Sequence, residues 1–203
     1  MIKRLHAVAV LCVLALVGVA NSAPALDKAD LESAQKYLET TRKNIEEATK
    51  GLSEAQWNFK SGPDRWSVAQ VMEHITLAED YLRAFAENQV MKGPAAPDRD
   101  TKKIDAMVLA MIPDRSHKFQ APKELQPENH FGTPAATLKH FLEARAKTEA
   151  FLKDTPDLRD HTMDSPMGQK LDAYEWILFI AAHSDRHTQQ IKEVEADPNF
   201  PKN

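Results

Sequence analysis

The sequence predicts an all-α fold: a four-helix bundle with a long crossover connection between the second and third helices. Four segments of about 20 residues carry apolar side chains at intervals of three and four, the period of one helix face. No segment alternates apolar and polar residues as a half-buried strand would. Residues 93–132 hold five of the 12 prolines, so this stretch is predicted to be the long connection.

Capping residues delimit the first two predicted helices. The first is expected over residues 27–50, because Gly51 can take the left-handed conformation that ends a helix. A connection over residues 52–65 follows. Ser67 is expected to begin the second helix, since its hydroxyl and Gln70 three residues later form a capping box.

The third and fourth helices follow the crossover, which is itself predicted to contain a short helix over residues 104–112. Thr133 can cap the third helix, which ends before Pro156. Residues 158–170 are expected to form a short irregular link. The fourth helix is predicted from about residue 171 to residue 196, where prolines follow.

Three histidines on these helices are the candidate metal ligands: His74, His183 and His187. His74 lies on the apolar stripe of the second helix. His183 and His187 are four residues apart on the fourth helix, so they lie one turn apart on one face and can reach one ion. A shared metal would satisfy one ring nitrogen on each buried imidazole. The alternative is that all three are core side chains with no metal.

Three protein ligands would leave a coordination position for water or substrate, the pattern of a catalytic metal site. Zinc is the expected divalent ion, with nickel or iron as alternatives. Ser184 stands where a zincin helix needs a glutamate, and no glutamate precedes any of the three histidines by three residues, as di-iron bundles require. No catalytic base is assigned. Glu73, Asp185 and Glu175 are candidates for orienting a ligand imidazole.

Residues 1–25 are predicted to be a secretory signal peptide, which leaves a domain over residues 26–203. A basic start precedes an apolar run and then small residues, with cleavage expected after Ser22 or after Ala25. The alternative is an uncleaved anchor, but the apolar run is shorter than the roughly 20 residues of a spanning helix. The protein is therefore expected to be periplasmic or secreted, without a membrane span after cleavage.

Composition narrows the chemistry of the exported domain. The only cysteine, Cys12, lies within the signal peptide, so thiolate ligands and thiol nucleophiles are excluded from the domain. Cleavage would also remove Lys3 and Arg4 and no acidic residue, which changes the net charge from −4 to −6. A mildly acidic domain is a poor candidate for nucleic-acid binding.

Two motifs resemble the DinB-like (DinB/YfiT) superfamily of metal-binding four-helix bundles. The first is Asp-Arg-Trp-Ser-Val-Ala-Gln-Val-Met-Glu-His, ending at His74, and the second leads from Glu-Trp-Ile to His-Ser-Asp-Arg-His-Thr-Gln-Gln-Ile at residues 183–191. The resemblance covers nearly the whole mature chain. It implies an overhand crossover, a divalent metal held by His74, His183 and His187, and in many relatives a homodimer.

Similar proteins include thiol-dependent transferases and isomerases, metal-dependent hydrolases and members without a known reaction. A thiol-dependent transferase is disfavoured here, because an exported protein would not meet a cytosolic thiol. The function hypothesis is therefore an exported metal-dependent hydrolase acting on an unknown small substrate. The alternative is a non-enzymatic metal-binding or ligand-binding bundle.

Overall fold

A computed structural model describes residues 26–202 of the chain. The predicted signal peptide lies outside the described residues, so it stays a prediction. Within residues 26–202, none of the helices combines the length and the hydropathy that crossing a membrane requires.

Helices dominate the fold, which confirms the predicted all-α class. Four long helices form the bundle: α1 (Lys28–Thr49), α3 (Val68–Asn88), α5 (Pro134–Asp154) and α6 (Ala173–Glu195). The shorter elements are the helices α2 (Glu54–Asn58) and α4 (Thr101–Met111), two 3-10 turns (Val90–Lys92 and Lys123–Leu125) and two strands, β1 (Thr162–Asp164) and β2 (Lys170–Asp172).

Most helix ends follow the predicted capping chemistry. Ser67 accepts a hydrogen bond from the Gln70 backbone N–H, and the Gln70 side chain accepts one from the Ser67 N–H, so the capping box is confirmed. Gly51, just past the end of α1, has a φ of 71°, the left-handed conformation expected there. The fourth helix starts later than predicted, at Ala173, because Asp172 and Glu175 form a further capping box.

The long crossover is needed because α3 and α5 run in the same direction. Glu73 contacts His130, and seven residues later Asp80 contacts His140 at the start of α5. Two parallel neighbouring helices cannot be joined by a tight turn. The chain between them, residues 89–133, therefore has to travel back along the bundle, and α4 packs against α6 on the way.

The predicted irregular link over residues 158–170 is partly wrong, because it contains β1 and leads into β2, which together form an antiparallel hairpin. The register pairs Met163 with Leu171, and Gly168 in the turn has a φ of 71°. Each strand has three residues, which is too short for a period of two to show in the sequence. The hairpin lies immediately before α6.

A polar layer separates two apolar clusters in the core of the bundle. Arg145 on α5 is fully buried and donates to both carboxylate oxygens of Glu79, each at 2.8 Å. It also donates to the Leu38 carbonyl and the Thr41 and Ser184 hydroxyls. These contacts join all four long helices at the level where α6 carries His183.

Candidate metal centre

The three predicted histidines meet between α3 and α6. Nε2 of His74 lies 3.2 Å from Nε2 of His183, and the His183 and His187 ring centroids are 4.4 Å apart. One ring nitrogen from each of the three side chains lies within 4.8 Å of the other two. Because α3 and α6 pack against each other, the single histidine on α3 faces the pair that α6 presents one turn apart.

Burial favours the neutral form of all three imidazoles, which is the form that binds a metal. Desolvation lowers the pKa of His74, partly offset by its hydrogen bond to the Leu125 carbonyl. Desolvation and the neighbouring imidazoles of His187 and His74 lower the pKa of His183 well below its usual value. For His187 desolvation is again the largest cause and lowers the pKa to about 3.

Hydrogen bonds select which nitrogen faces the cluster. Nδ1 of His74 lies 2.7 Å from the Leu125 carbonyl, and since a carbonyl can only accept, this nitrogen carries the proton. Nδ1 of His187 likewise lies 2.8 Å from Oε1 of Gln190. Nε2 of both rings therefore keeps its lone pair for an ion. Ligand nitrogens about 3.3 Å apart are what a tetrahedral site with bonds of about 2.0–2.1 Å requires, so the donor set fits a divalent metal.

Glu73 holds the loop that supplies the Leu125 carbonyl. Its carboxylate accepts the backbone N–H groups of Glu128, Asn129 and His130 at 3.1, 3.0 and 2.7 Å, and His130 Nδ1 lies 2.6 Å away. Burial alone would raise the pKa of Glu73, but the hydrogen bonds from His130 and its neighbours outweigh burial and lower it. Glu73 thus affects the orientation of the His74 imidazole through this loop and not by direct contact.

The other two carboxylates proposed to orient the ligands lie elsewhere. Glu175 pairs with Arg99 at the start of α6, and Asp185 lies beside Tyr37 of α1. Sequence reasoning did not single out the two groups that touch the ligands, Gln190 and the Leu125 carbonyl. Gln190 had a readable signal, since it follows His187 by three residues on the same helix face.

The remaining histidines of the described residues lie outside the cluster of three. His130 contacts Glu73, and His140 lies 2.6 Å from Asp80 on the side of α3. His161 contacts the Gly93 carbonyl, while His117 is largely exposed.

A cavity of about 1060 Å³ opens beside the three imidazoles and has all three in its wall. The crossover covers part of it. Arg186 on α6 holds this cover in place by donating to the carbonyls of Ile112, Asp114 and His117. The long loop therefore covers one side of the space next to the histidines.

Comparison with known proteins agrees with this geometry. A family model of the DinB superfamily matches residues 37–191, a span that contains all three histidines. The chain belongs to the DinB superfamily. It is 26% identical over 146 residues to the uncharacterized protein YuaE of Bacillus subtilis (strain 168), covering 71% of this chain and 86% of that one.

A solved structure shows the same fold at low sequence identity. YfiT from Bacillus subtilis aligns with a TM-score of 0.57 and 14% identity, covering 87% of this chain and 91% of its own. YfiT is described as a probable metal-dependent hydrolase with an unusual four-helix bundle topology. At this identity the likeness establishes the DinB-like fold of the chain.

Proposed function

We propose that this protein is a metal-dependent hydrolase in which His74, His183 and His187 hold one divalent ion, with zinc as the expected metal. One observation carries the proposal: three imidazoles from two helices converge in the wall of a cavity, with the ligand nitrogens of two set by hydrogen bonds. The hydrolase activity ascribed to YfiT, which has the same fold, supports it.

A divalent ion at such a site supplies Lewis acidity and makes water a nucleophile near neutral pH. The protein's own part is to position the ligands and to limit solvent around them. The Leu125 carbonyl and Gln190 fix the rings of His74 and His187, and the crossover pinned by Arg186 encloses the space where a substrate would lie.

The non-enzymatic alternative is disfavoured by the placement of the histidines. A metal that only joins helices would be expected in a closed, fully packed site, whereas these imidazoles line a cavity large enough for a small molecule. Three protein ligands would also leave a coordination position for water or substrate.

Reconstitution tests the proposal. Protein stripped with a chelator should lose hydrolysis of activated esters and amides, and one of zinc, nickel or ferrous iron should restore it. A His183→Gln variant should remain inactive under the same conditions. His117→Gln changes an exposed histidine outside the cluster and should behave like the wild type. Equal hydrolysis with and without metal would refute the proposal.

We also propose that the protein acts outside the cytoplasm, on the strength of the signal-peptide pattern in residues 1–25. Cell fractionation followed by N-terminal sequencing tests this. The exported protein is expected to begin at Ala23 or at Leu26. Recovery of the full-length chain from the cytoplasm alone would contradict the proposal.

A further inference from the structure

An aromatic wall leads away from the histidines along one face of α6. The Phe179 ring is stacked at 6.3 Å from the His183 ring, Trp176 is 5.4 Å beyond Phe179, and Phe85 of α3 is 5.0 Å from Trp176. All four residues line the cavity. His183 and Trp176 are seven residues apart, so the part of the cavity beside these rings, which we call the aromatic arm, extends for about 10 Å along the helix.

Apolar side chains continue the lining of the arm. Leu82 on α3 and Met167 in the hairpin turn join the aromatic rings in lining the cavity. Met167 is partly exposed, and a methionine side chain adapts its shape to a bound apolar group. The hairpin that the sequence did not predict thus contributes to the cavity lining.

Ionic groups around the cavity are paired with other protein groups or lie in exposed positions. Arg115 binds Glu193 through two contacts of 2.6 and 2.7 Å, and Arg65 lies 3.5 Å from the same carboxylate. The Arg186 guanidinium donates to loop carbonyls. The remaining charged lining residues are exposed: Asp64, Lys118 and Asp164. A ligand charge placed against the aromatic rings would lose hydration that these rings do not replace.

We propose that the substrate is a carboxylic ester or amide with an uncharged, apolar acyl group that lies in this aromatic arm. The inference rests on the proposed hydrolase function, because it places the substrate carbonyl at the three histidines. A linear acyl chain advances about 1.25 Å per carbon, so about eight carbons span the distance to Trp176. Water adds its oxygen to the carbonyl carbon and the bond to the leaving oxygen or nitrogen breaks. The leaving group takes up a proton, and a carboxylic acid and an alcohol or amine are released.

Turnover of p-nitrophenyl esters from acetate to dodecanoate tests the acyl preference on the metal-loaded protein. Each methylene buried in the arm should raise kcat/KM by about fourfold until the chain reaches Trp176, after which the gain should stop. A hemisuccinate ester, with its terminal carboxylate, should fall below the butyrate ester. Turnover that does not depend on acyl length would overturn the inference while leaving the hydrolase function standing.

Binding of neutral 2-alkanones, measured by calorimetry, tests the arm without turnover. 2-Decanone has six more methylene groups than 2-butanone, so at the same gain per methylene it should bind more tightly by a factor on the order of 10³. Phe179→Ala should reduce the ratio of the affinities for 2-decanone and 2-butanone. Met167→Glu should reduce it too, and it provides a second test if Phe179→Ala fails to fold. Leu109→Ala shortens an exposed side chain on α4 outside the cavity lining and should keep the wild-type ratio.

The two experiments separate the inference from the function on which it rests. Tight binding of 2-decanone without hydrolysis of any ester would support the apolar arm and overturn the hydrolase function. Equal binding of 2-decanone and 2-butanone would refute the proposal that the aromatic arm binds the acyl group, whether or not the protein hydrolyses esters.

Discussion

Glu73 provides a test of how the loop controls the metal centre. In Glu73→Gln one carboxylate oxygen becomes an amide NH₂ group of nearly the same size. The carboxylate accepts four hydrogen bonds: Oε1 accepts from the Glu128 N–H and from both the backbone and the ring of His130, and Oε2 accepts from the Asn129 N–H. In either orientation of the amide, its NH₂ faces at least one of these donors.

The expected loss of stability follows from the number of hydrogen bonds that Glu73 accepts. One backbone N–H left without an acceptor costs about 1–3 kcal/mol, and the bonds that remain lose the extra strength that a charged acceptor gives. We expect the free energy of unfolding to fall by about 2–4 kcal/mol. The loop also carries the Leu125 carbonyl that orients His74, so metal affinity should fall by about 10- to 100-fold, the range for groups that orient a ligand.

Glu124→Gln is the matched control, since it makes the same exchange at an exposed carboxylate in the same crossover. Urea denaturation of the metal-free proteins would give the stability difference, and competition with a chromophoric chelator would give the metal affinities. If Glu73→Gln matched Glu124→Gln in both measurements, the account of the loop would be refuted.

Three further substitutions test other contacts. Gln190→Leu removes the acceptor for His187 Nδ1 and should weaken metal binding about 10- to 100-fold in the chelator competition, whereas Gln190→Glu should retain it. Arg145→Met leaves the Glu79 carboxylate buried without its partner and should cost about 3–5 kcal/mol in urea denaturation, while adding Glu79→Leu should recover most of that loss. Gly93→Ala would place a Cβ atom 2.4 Å from the Thr162 carbonyl oxygen, so a fall in the unfolding free energy of about 1–3 kcal/mol is expected by the same method.

Helical periodicity and fixed spacing explain what the sequence could predict. Apolar side chains at intervals of three and four place His74 on the inner face of α3, and a spacing of four places His183 and His187 on one face of α6. These properties depend only on the spacing of residues within one helix, so the sequence predicts them without knowledge of how the helices pack. That α3 and α6 bring the three rings together follows from packing, and the family resemblance supplied that expectation.

The rest of the site depends on groups without a sequence signature. The acceptor for His74 is a backbone carbonyl, and Glu73 is held by backbone N–H groups, which every non-proline residue has. The hairpin consists of strands of three residues whose pairing gives no visible alternation. The arm of the cavity is formed by side chains from α3, α6 and this hairpin, so it exists only in the folded chain.

Metal analysis of the purified protein tests the central claim most directly. After equilibration with zinc and removal of the excess, elemental analysis should find about one equivalent per chain in the wild type, as three converging imidazoles predict. His183→Ala should retain far less metal, and His117→Ala, at an exposed histidine, should retain as much as the wild type. Equal metal content in the wild type and His183→Ala would contradict the proposed centre.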